Sequence, residues 1–217
     1  MNIRTKEAVR YLGYGRHAID ERTLQMIQDS FVELEKIVDL RFVYRIFEIA
    51  IQNEDQISIG QLHVNSKNLT KNLRECDRAV LLGVTLGSRV DALMRKYSIL
   101  DMSKAVVIQA CATALLEEEC DKIQDIISEE IGVEGHFRPR FSPGYGDFSI
   151  IYQNSMLQIL EASKKIGLTM TDGYMLTPSK SITAIIGISK IKQNCRKEGC
   201  EVCEKGDCAY RRSERCY

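Results

Sequence analysis

The chain has 217 residues with 30 Lys plus Arg against 30 Asp plus Glu, so it lacks the excess of cations that phosphate neutralisation demands of a general nucleic-acid binder. Its 44% hydrophobic and 28% charged residues suit a folded globular chain, long enough for one core and a small appendage. No apolar run approaches the ~20 residues that span a bilayer, and the N-terminal MNIRTKEAVR has no secretory apolar stretch, so a cytoplasmic protein with no nucleic-acid or membrane partner is expected.

In chain order, TKEAVRYL (residues 5–12) reads as helical, and after Asp20 the apolar Leu24, Ile27, Phe31, Leu34 and Val38 recur every three or four residues, a helical period. RFVYRIFEIA (41–50) is rich in aromatic and β-branched residues and reads as a strand. ISIGQLHV (57–64) follows a polar NEDQ turn as its antiparallel partner. Residues 66–76 suit a short helix, and RAVLLGVTLG (78–87) is an apolar strand ending in glycine. Residues 88–97 and 101–130 read as helices, the second apolar in its first half. A Gly/Pro-rich stretch, GVEGHFRPRFSPGYGDF (132–148), precedes an amphipathic helix over 154–165 that stops at Gly167. LTMTDGYML (168–176) and KSITAIIGIS (180–189) read as two strands joined by a Thr-Pro-Ser turn. Helices and strands do not alternate strictly and neighbouring strands look hairpin-paired, which predicts an α+β fold, mainly antiparallel sheet flanked by helices. The expected division is one folded domain over 1–190 and a cysteine-rich tail over 191–217.

Several motifs carry little chemistry. GYGRHA (13–18) has the spacing of a dinucleotide fingerprint but follows a helix, whereas that fingerprint works in a strand-to-helix turn. GVTLG (83–87) does sit between a strand and a helix; its amides would suit an anion, or its glycine simply permits a tight turn. His17, His63 and His136 lack the spacing of a metal pair, and Cys76, Cys111 and Cys120 fall in patterns that make them buried small hydrophobes. No nucleophile elbow, His-Glu-x-x-His or P-loop occurs, and no catalytic residue is nominated.

RFSPGY (140–145) is more informative. Pro143 restricts Ser142 to extended geometry, Gly144 permits close approach of a ligand to the backbone, and Tyr145 offers a flat face and a hydroxyl. Arg140 supplies a planar fork suited to a carboxylate. These features fit a pocket for a small zwitterion with a ring, but the residues alone favour a rigid loop whose arginine pairs with a nearby acid.

This segment and its surroundings resemble the AdoMet-binding activation (reactivation) domain at the C-terminal end of cobalamin-dependent methionine synthase, a family that carries Arg-x-x-x-Gly-Tyr. The arginine at that spacing is Arg140, although Arg138-Pro139 mimics the family's Arg-Pro dipeptide. CDRAVLLGVTLG (76–87) resembles the family's strand with a Thr-Gly turn, ATALLEEECDKI (112–123) its long helix with an AdoMet-contacting glutamate, aligned with Glu117, and LEASKKIGLTMTDGYMLTPSKSITA (160–184) its helix, strand and proline turn. The resemblance covers about residues 77–189. It implies that Arg140, Ser142, Pro143, Gly144 and Tyr145 hold AdoMet and that Glu117 faces its ammonium. It further implies a cobalamin-binding methyltransferase module as partner, an electron donor such as flavodoxin or ferredoxin, and a role in methionine biosynthesis through reductive methylation of cob(II)alamin. Two differences stand out: the family's N-terminal aspartate has no counterpart among residues 1–76, and its aromatic pair after the last hairpin gives way to the cysteine tail.

In that tail Cys195, Cys200, Cys203 and Cys208 are spaced by five, three and five positions, with Cys216 beyond. Four thiols this close can surround one metal, and Cys-x-x-Cys is the usual chelating unit. Zinc, an iron–sulfur cluster and no metal at all are each compatible with the spacing. A metal-binding adaptor or electron-transfer protein of a corrinoid system, keeping the fold without AdoMet, is the alternative reading.

Overall fold

The protein is described by a computed structural model over residues 2–14, 18–132 and 136–189. In chain order its elements are α1 (Ile3–Tyr11), α2 (Glu21–Glu35), β1 (Arg41–Ile51), β2 (Gln56–Ile59), β3 (Leu62–Asn65), α3 (Lys67–Asn72), β4 (Cys76–Thr85), α4 (Ser88–Leu100), α5 (Met102–Ile131), β5 (His136–Phe137), α6 (Tyr152–Leu160), α7 (Ala162–Ile166), β6 (Thr169–Met170), β7 (Leu176–Thr177) and β8 (Ser181–Ser189). The fold is α+β, as the sequence predicts, and two compact units emerge: residues 2–38 with 89–123, and residues 39–88 with 124–189.

The first unit is helical. Asn2 and Asp20 begin α1 and α2 by accepting the backbone N–H of Thr5 and Thr23, each at 2.8 Å. The predicted period of α2 buries Ile27, Phe31 and Leu34, and the apolar first half of α5 buries Ile108, Cys111 and Leu115. Arg4 of α1 ties the helices together, pairing with Glu35 of α2 and, at 2.5 Å, with Glu118 of α5. Lys104 of α5 pairs with Glu33 of α2 at 2.9 Å and donates to the Tyr97 hydroxyl at 2.7 Å.

The second unit is built on a six-stranded sheet, order β3-β2-β1-β4-β8-β5, with every neighbouring pair antiparallel. AVLLGV in β4 and ITAIIGI in β8 are apolar on both faces because these strands are central, and β4 is buried from Ala79 through Thr85. On one face Phe47, Ala79, Leu81 and Ile185 pack with Leu157, Leu160, Ala162 and Ile166 of α6 and α7. Three predicted elements are subdivided. ISIGQLHV folds as β2 and β3 around Gly60–Gln61, which lets Ile57, Ile59, Leu62 and Val64 all enter the core. The helix predicted over 154–165 breaks at Glu161, held left-handed at φ 52, so that Leu160 and Ala162 are both fully buried; its end at Gly167 is as expected. LTMTDGYML is a hairpin, β6 paired with β7, rather than one strand.

Candidate functional site

The Arg140–Tyr145 loop hangs from the edge of β8. His136 and Phe137 pair with Ser189 and Ile188, the Arg138 N–H donates to the Gly187 carbonyl at 2.8 Å, and Phe141 exchanges two hydrogen bonds with Ile185 at 2.9 and 2.8 Å. From Phe137 to Phe141 the chain takes four steps against three on β8, from Ile188 to Ile185. The extra residue makes a bulge around Pro139, which has no N–H to give the ladder. Beyond it, Ser142 O accepts the Tyr145 N–H at 3.1 Å. Pro143 follows Ser142, and Gly144 sits at φ 93, the arrangement of a type II turn, in which only glycine or asparagine is comfortable at the third position.

The side chains of this turn divide into anchors and groups that are presented. Phe141 lies edge-on to Tyr145 with ring centroids 6.3 Å apart and also packs near Phe148 at 6.2 Å, which stacks on Tyr152 at 5.5 Å. Arg140 donates through Nη1 to Gln124 Oε1 of α5. Pro143 is buried. Ser142 is only 8% exposed, and its Oγ is buried with no hydrogen-bond partner in the structure; an orphaned buried hydroxyl costs free energy unless something supplies the missing bond. Tyr145 is 55% exposed.

Asp147, which carries no weight in the sequence reading, fixes the loop from below. Its Oδ1 accepts from the Ser66 hydroxyl at 2.5 Å and the Asn68 N–H at 3.1 Å, and its Oδ2 accepts the Lys67 N–H at 2.8 Å. A carboxylate from a loop eighty residues away thus joins Ser66 in capping α3. The Ser66 hydroxyl first, and then the Asn68 and Lys67 amides, hold the Asp147 carboxyl below its ordinary value of 3.8. A carboxylate depressed in the folded state stabilises above its ordinary value and loses that contribution as the pH falls through the depressed one. Asp147→Ala is therefore expected to lower stability at pH 7 by about 1 kcal/mol, a cap-sized loss at a solvent-exposed group. Urea unfolding curves of variant and wild type should converge as the pH drops below that ordinary value.

Glu117 lies on α5 in the helical unit, half-buried. Burial first, and then the negative charge of Glu117, push the Tyr11 phenol upward, so Tyr11 shares its electrostatic neighbourhood. The Arg10 guanidinium sits 4.2 Å from the Tyr11 ring centroid and pairs with Glu7 at 2.6 Å. The sequence reading nominated none of these α1 residues. The loop residues Arg140, Ser142, Pro143, Gly144 and Tyr145 are brought together in the sheet unit, and Glu117 belongs to the other.

The remaining motifs are absorbed by structure. In the GVTLG turn the Gly87 N–H donates to Thr85 Oγ1 at 3.1 Å and the Leu86 N–H to Lys180 O at 2.9 Å, so these amides serve the protein itself. His63 lies 2.7 Å from the Ser58 hydroxyl on an exposed hairpin and His136 is exposed on β5; His17 falls outside the described residues. Cys76, Cys111 and Cys120 are buried thiols, and burial pushes Cys111 up to about 12, which keeps it an inert small hydrophobe. Cys195, Cys200, Cys203 and Cys208 lie outside the described residues, among which no three His, Cys, Asp or Glu side chains gather to hold a metal. Two open surface hollows take no lining residue from the loop: about 460 Å³ lined by Glu48, Ile49, Asp77 and Arg78, and about 410 Å³ lined by Arg22, Gln25, Met26, Asp29 and Lys104. No described helix is long and apolar enough to cross a membrane.

No protein-family profile matches the chain, and no curated protein matches it in sequence. Among solved structures it is similar to the crystal structure of the MetH reactivation domain bound to AdoHcy. The TM-score is 0.59 over 84% of this chain and 74% of that one, at 15% sequence identity. The likeness establishes a shared fold.

Proposed function

We propose that this chain binds AdoMet and supports reductive methylation of cob(II)alamin held by a separate corrinoid-dependent methionine synthase or related methyltransferase. The observation that carries the reading is the loop itself. An arginine fork, a buried hydroxyl lacking a partner, a type II Pro-Gly turn and an exposed phenol stand within six residues, on a fold like that of a domain solved with AdoHcy. The donor set fits the ligand: Arg140 suits the carboxylate of a methionyl group, the Ser142 Oγ offers the hydrogen bond it lacks, and Tyr145 offers a face to a ring or a sulfonium.

AdoMet, when bound, supplies a methyl group already activated by its sulfonium. The protein therefore has no proton to move; its contribution is orientation, and the Asp147 anchor, the bulge at Pro139 and the Gln124 contact hold the loop rigid enough for that. The partner we infer is a cobalamin-binding module, with flavodoxin or ferredoxin as electron donor. The spacing of Cys195, Cys200, Cys203 and Cys208 supports one metal site in the tail, zinc or iron–sulfur.

The test is anaerobic. Protein, AdoMet, a chemical reductant and a cob(II)alamin-loaded methyltransferase module are mixed, and the methylcobalamin spectrum is followed against a mixture lacking this chain. Chain-dependent methylcobalamin is the expected result, and calorimetry of the chain with AdoMet alone should show saturable binding. Absence of both would remove the reading.

A further inference from the structure

β1 is paired on both sides over only part of its length. Against β4 it runs in unbroken register from Arg41–Thr85 to Glu48–Arg78. On its other side β2 pairs with Ile49, Ala50 and Ile51 alone, and the Gly60 N–H, donating to Glu48 O at 3.2 Å, closes that pairing. Residues 41–47 are therefore an edge, although the strand order places β1 inside the sheet.

Hydrogen-bond parity decides which groups this edge presents. The Gln52 N–H donates to Gln56 O at 3.0 Å, and Glu48 O accepts from Gly60. The even-numbered residues of β1 thus aim their main-chain groups toward the β2 side, and the odd-numbered ones toward β4. Before Glu48 the open side displays the N–H and C=O of Phe42, Tyr44 and Ile46. Among the described residues no strand lies beyond them, and no backbone hydrogen bond outside the sheet engages them.

Natural edges are blunted by proline, bulges or short strands. RFVYRIF (41–47) has no proline and its register shows no bulge, and aromatic and β-branched residues favour the extended chain. What the edge does carry is positive charge. By alternation Arg41 and Arg45 stand on the face where Val43 and Phe47 pack on the core. Arg41 is half exposed beside Asp39 at 2.6 Å. Arg45 is exposed, donates to Ile159 O at 2.9 Å and makes no described ion pair. Lys165 first, and then Arg45 and Lys164, hold the Glu161 carboxyl below its usual value, so three cations share one carboxylate there. The opposite face offers Phe42, 36% exposed, with the partly buried Tyr44 and Ile46.

We propose that this edge docks an extended acidic segment of a partner protein as an added strand. The segment's main chain bonds to Phe42, Tyr44 and Ile46, and its carboxylates meet Arg41 and Arg45. Charge selects this occupant over a second copy. Two β1 strands paired antiparallel about Tyr44 would set each Arg45 diagonal to Arg41 and Arg45 of the other copy, and like charges across a ladder repel. The proposal is independent of the AdoMet reading, since no residue of the Arg140–Tyr145 loop takes part.

The probe is an acetylated, amidated peptide of about eight residues, the length of an ordinary strand, in which Val and Glu alternate. It is added to the full chain and followed by amide hydrogen exchange and calorimetry. Without peptide the Phe42, Tyr44 and Ile46 amides should exchange at least about tenfold faster than those of Val43, Arg45 and Phe47, which bond to β4. With peptide they should become protected. Lys in place of Glu should weaken binding about tenfold, and N-methylation of alternate peptide bonds should abolish it by removing the bonding edge. Arg45→Glu should weaken the Val-Glu peptide about tenfold. Phe42→Pro removes an outward N–H without touching the β4 ladder; it should melt within a few degrees of wild type and bind several-fold more weakly. Equal protection of all these amides without peptide would mean that the edge is already covered, and would overturn the proposal. So would the absence of saturable binding, equal binding of the Lys or N-methylated peptide, or protection that rises with protein concentration alone, which would give the edge to a second copy.

Discussion

Arg140→Ala is expected to weaken AdoMet binding about 100-fold, equivalent to ~2.7 kcal/mol, the scale of charge-assisted hydrogen bonds removed from a partly desolvated carboxylate. Its melting temperature should move by only a few degrees. The asymmetry follows from placement. The backbone at this position is fixed by the Phe141–Ile185 pair next door and by the Ser142–Tyr145 turn beyond, so the turn forms through main-chain hydrogen bonds. Gln124 accepts from Nη1 with a neutral amide oxygen, which helps to orient the fork. Arg140→Lys keeps the charge and loses the planar fork, so about a tenfold loss is expected. Gln124→Ala, which removes one hydrogen bond that orients the fork, should cost a few-fold. Calorimetric titration with AdoMet checks the series. An affinity that ignores Arg140 would place the carboxylate elsewhere and detach the binding site from the Arg-x-x-x-Gly-Tyr spacing.

The central strands were legible because burial on both faces leaves an uninterrupted apolar run, and AVLLGV and ITAIIGI are such runs. The break at Glu161 was not. Nothing in LQILEASKKI disfavours a continuous helix, and the left-handed residue is imposed by the need to bury both Leu160 and Ala162 against one sheet face. Hairpins as short as β6–β7 have too few residues for a period to emerge. At the site, Pro143-Gly144 announced a turn, and the turn is there. The burial that leaves the Ser142 hydroxyl without a partner and the Asp147 carboxylate capping a helix that starts at Lys67 both depend on contacts between distant parts of the chain. Those contacts have no local signature. Glu117 entered through resemblance alone, and the structure adds Tyr11 beside it.

The largest stability effect is expected at Gly187, whose missing side chain connects the core to the loop. A Cβ there would lie 2.7 Å from both Cys76 Sγ and Leu73 Cδ2 and 3.1 Å from Arg138 Cγ, distances at which neighbours must move. Leu73 is fully buried and Cys76 nearly so, and Gly187 itself pairs with Ala79 in the middle of the sheet, so neither side can give cheaply. Gly187→Ala should therefore cost about 2–3 kcal/mol, the upper range for overpacking, out of a total near 5–15 kcal/mol. Gly187→Val should leave little folded protein. Adding Cys76→Ala removes one of the two closest obstructions, so the double variant should recover roughly half of the loss, a coupling that additive behaviour cannot give. Urea unfolding of the four proteins in the cycle checks this, and strict additivity would mean that Cys76 is not what the new methyl strikes. Binding should respond as well. The Gly187 carbonyl takes the Arg138 N–H two residues before Arg140, so an outward shift of β8 at this point displaces the bulge from which the loop hangs, and the folded fraction of Gly187→Ala should bind AdoMet more weakly than wild type. A glycine chosen for close packing inside the sheet thereby also fixes where the arginine fork begins.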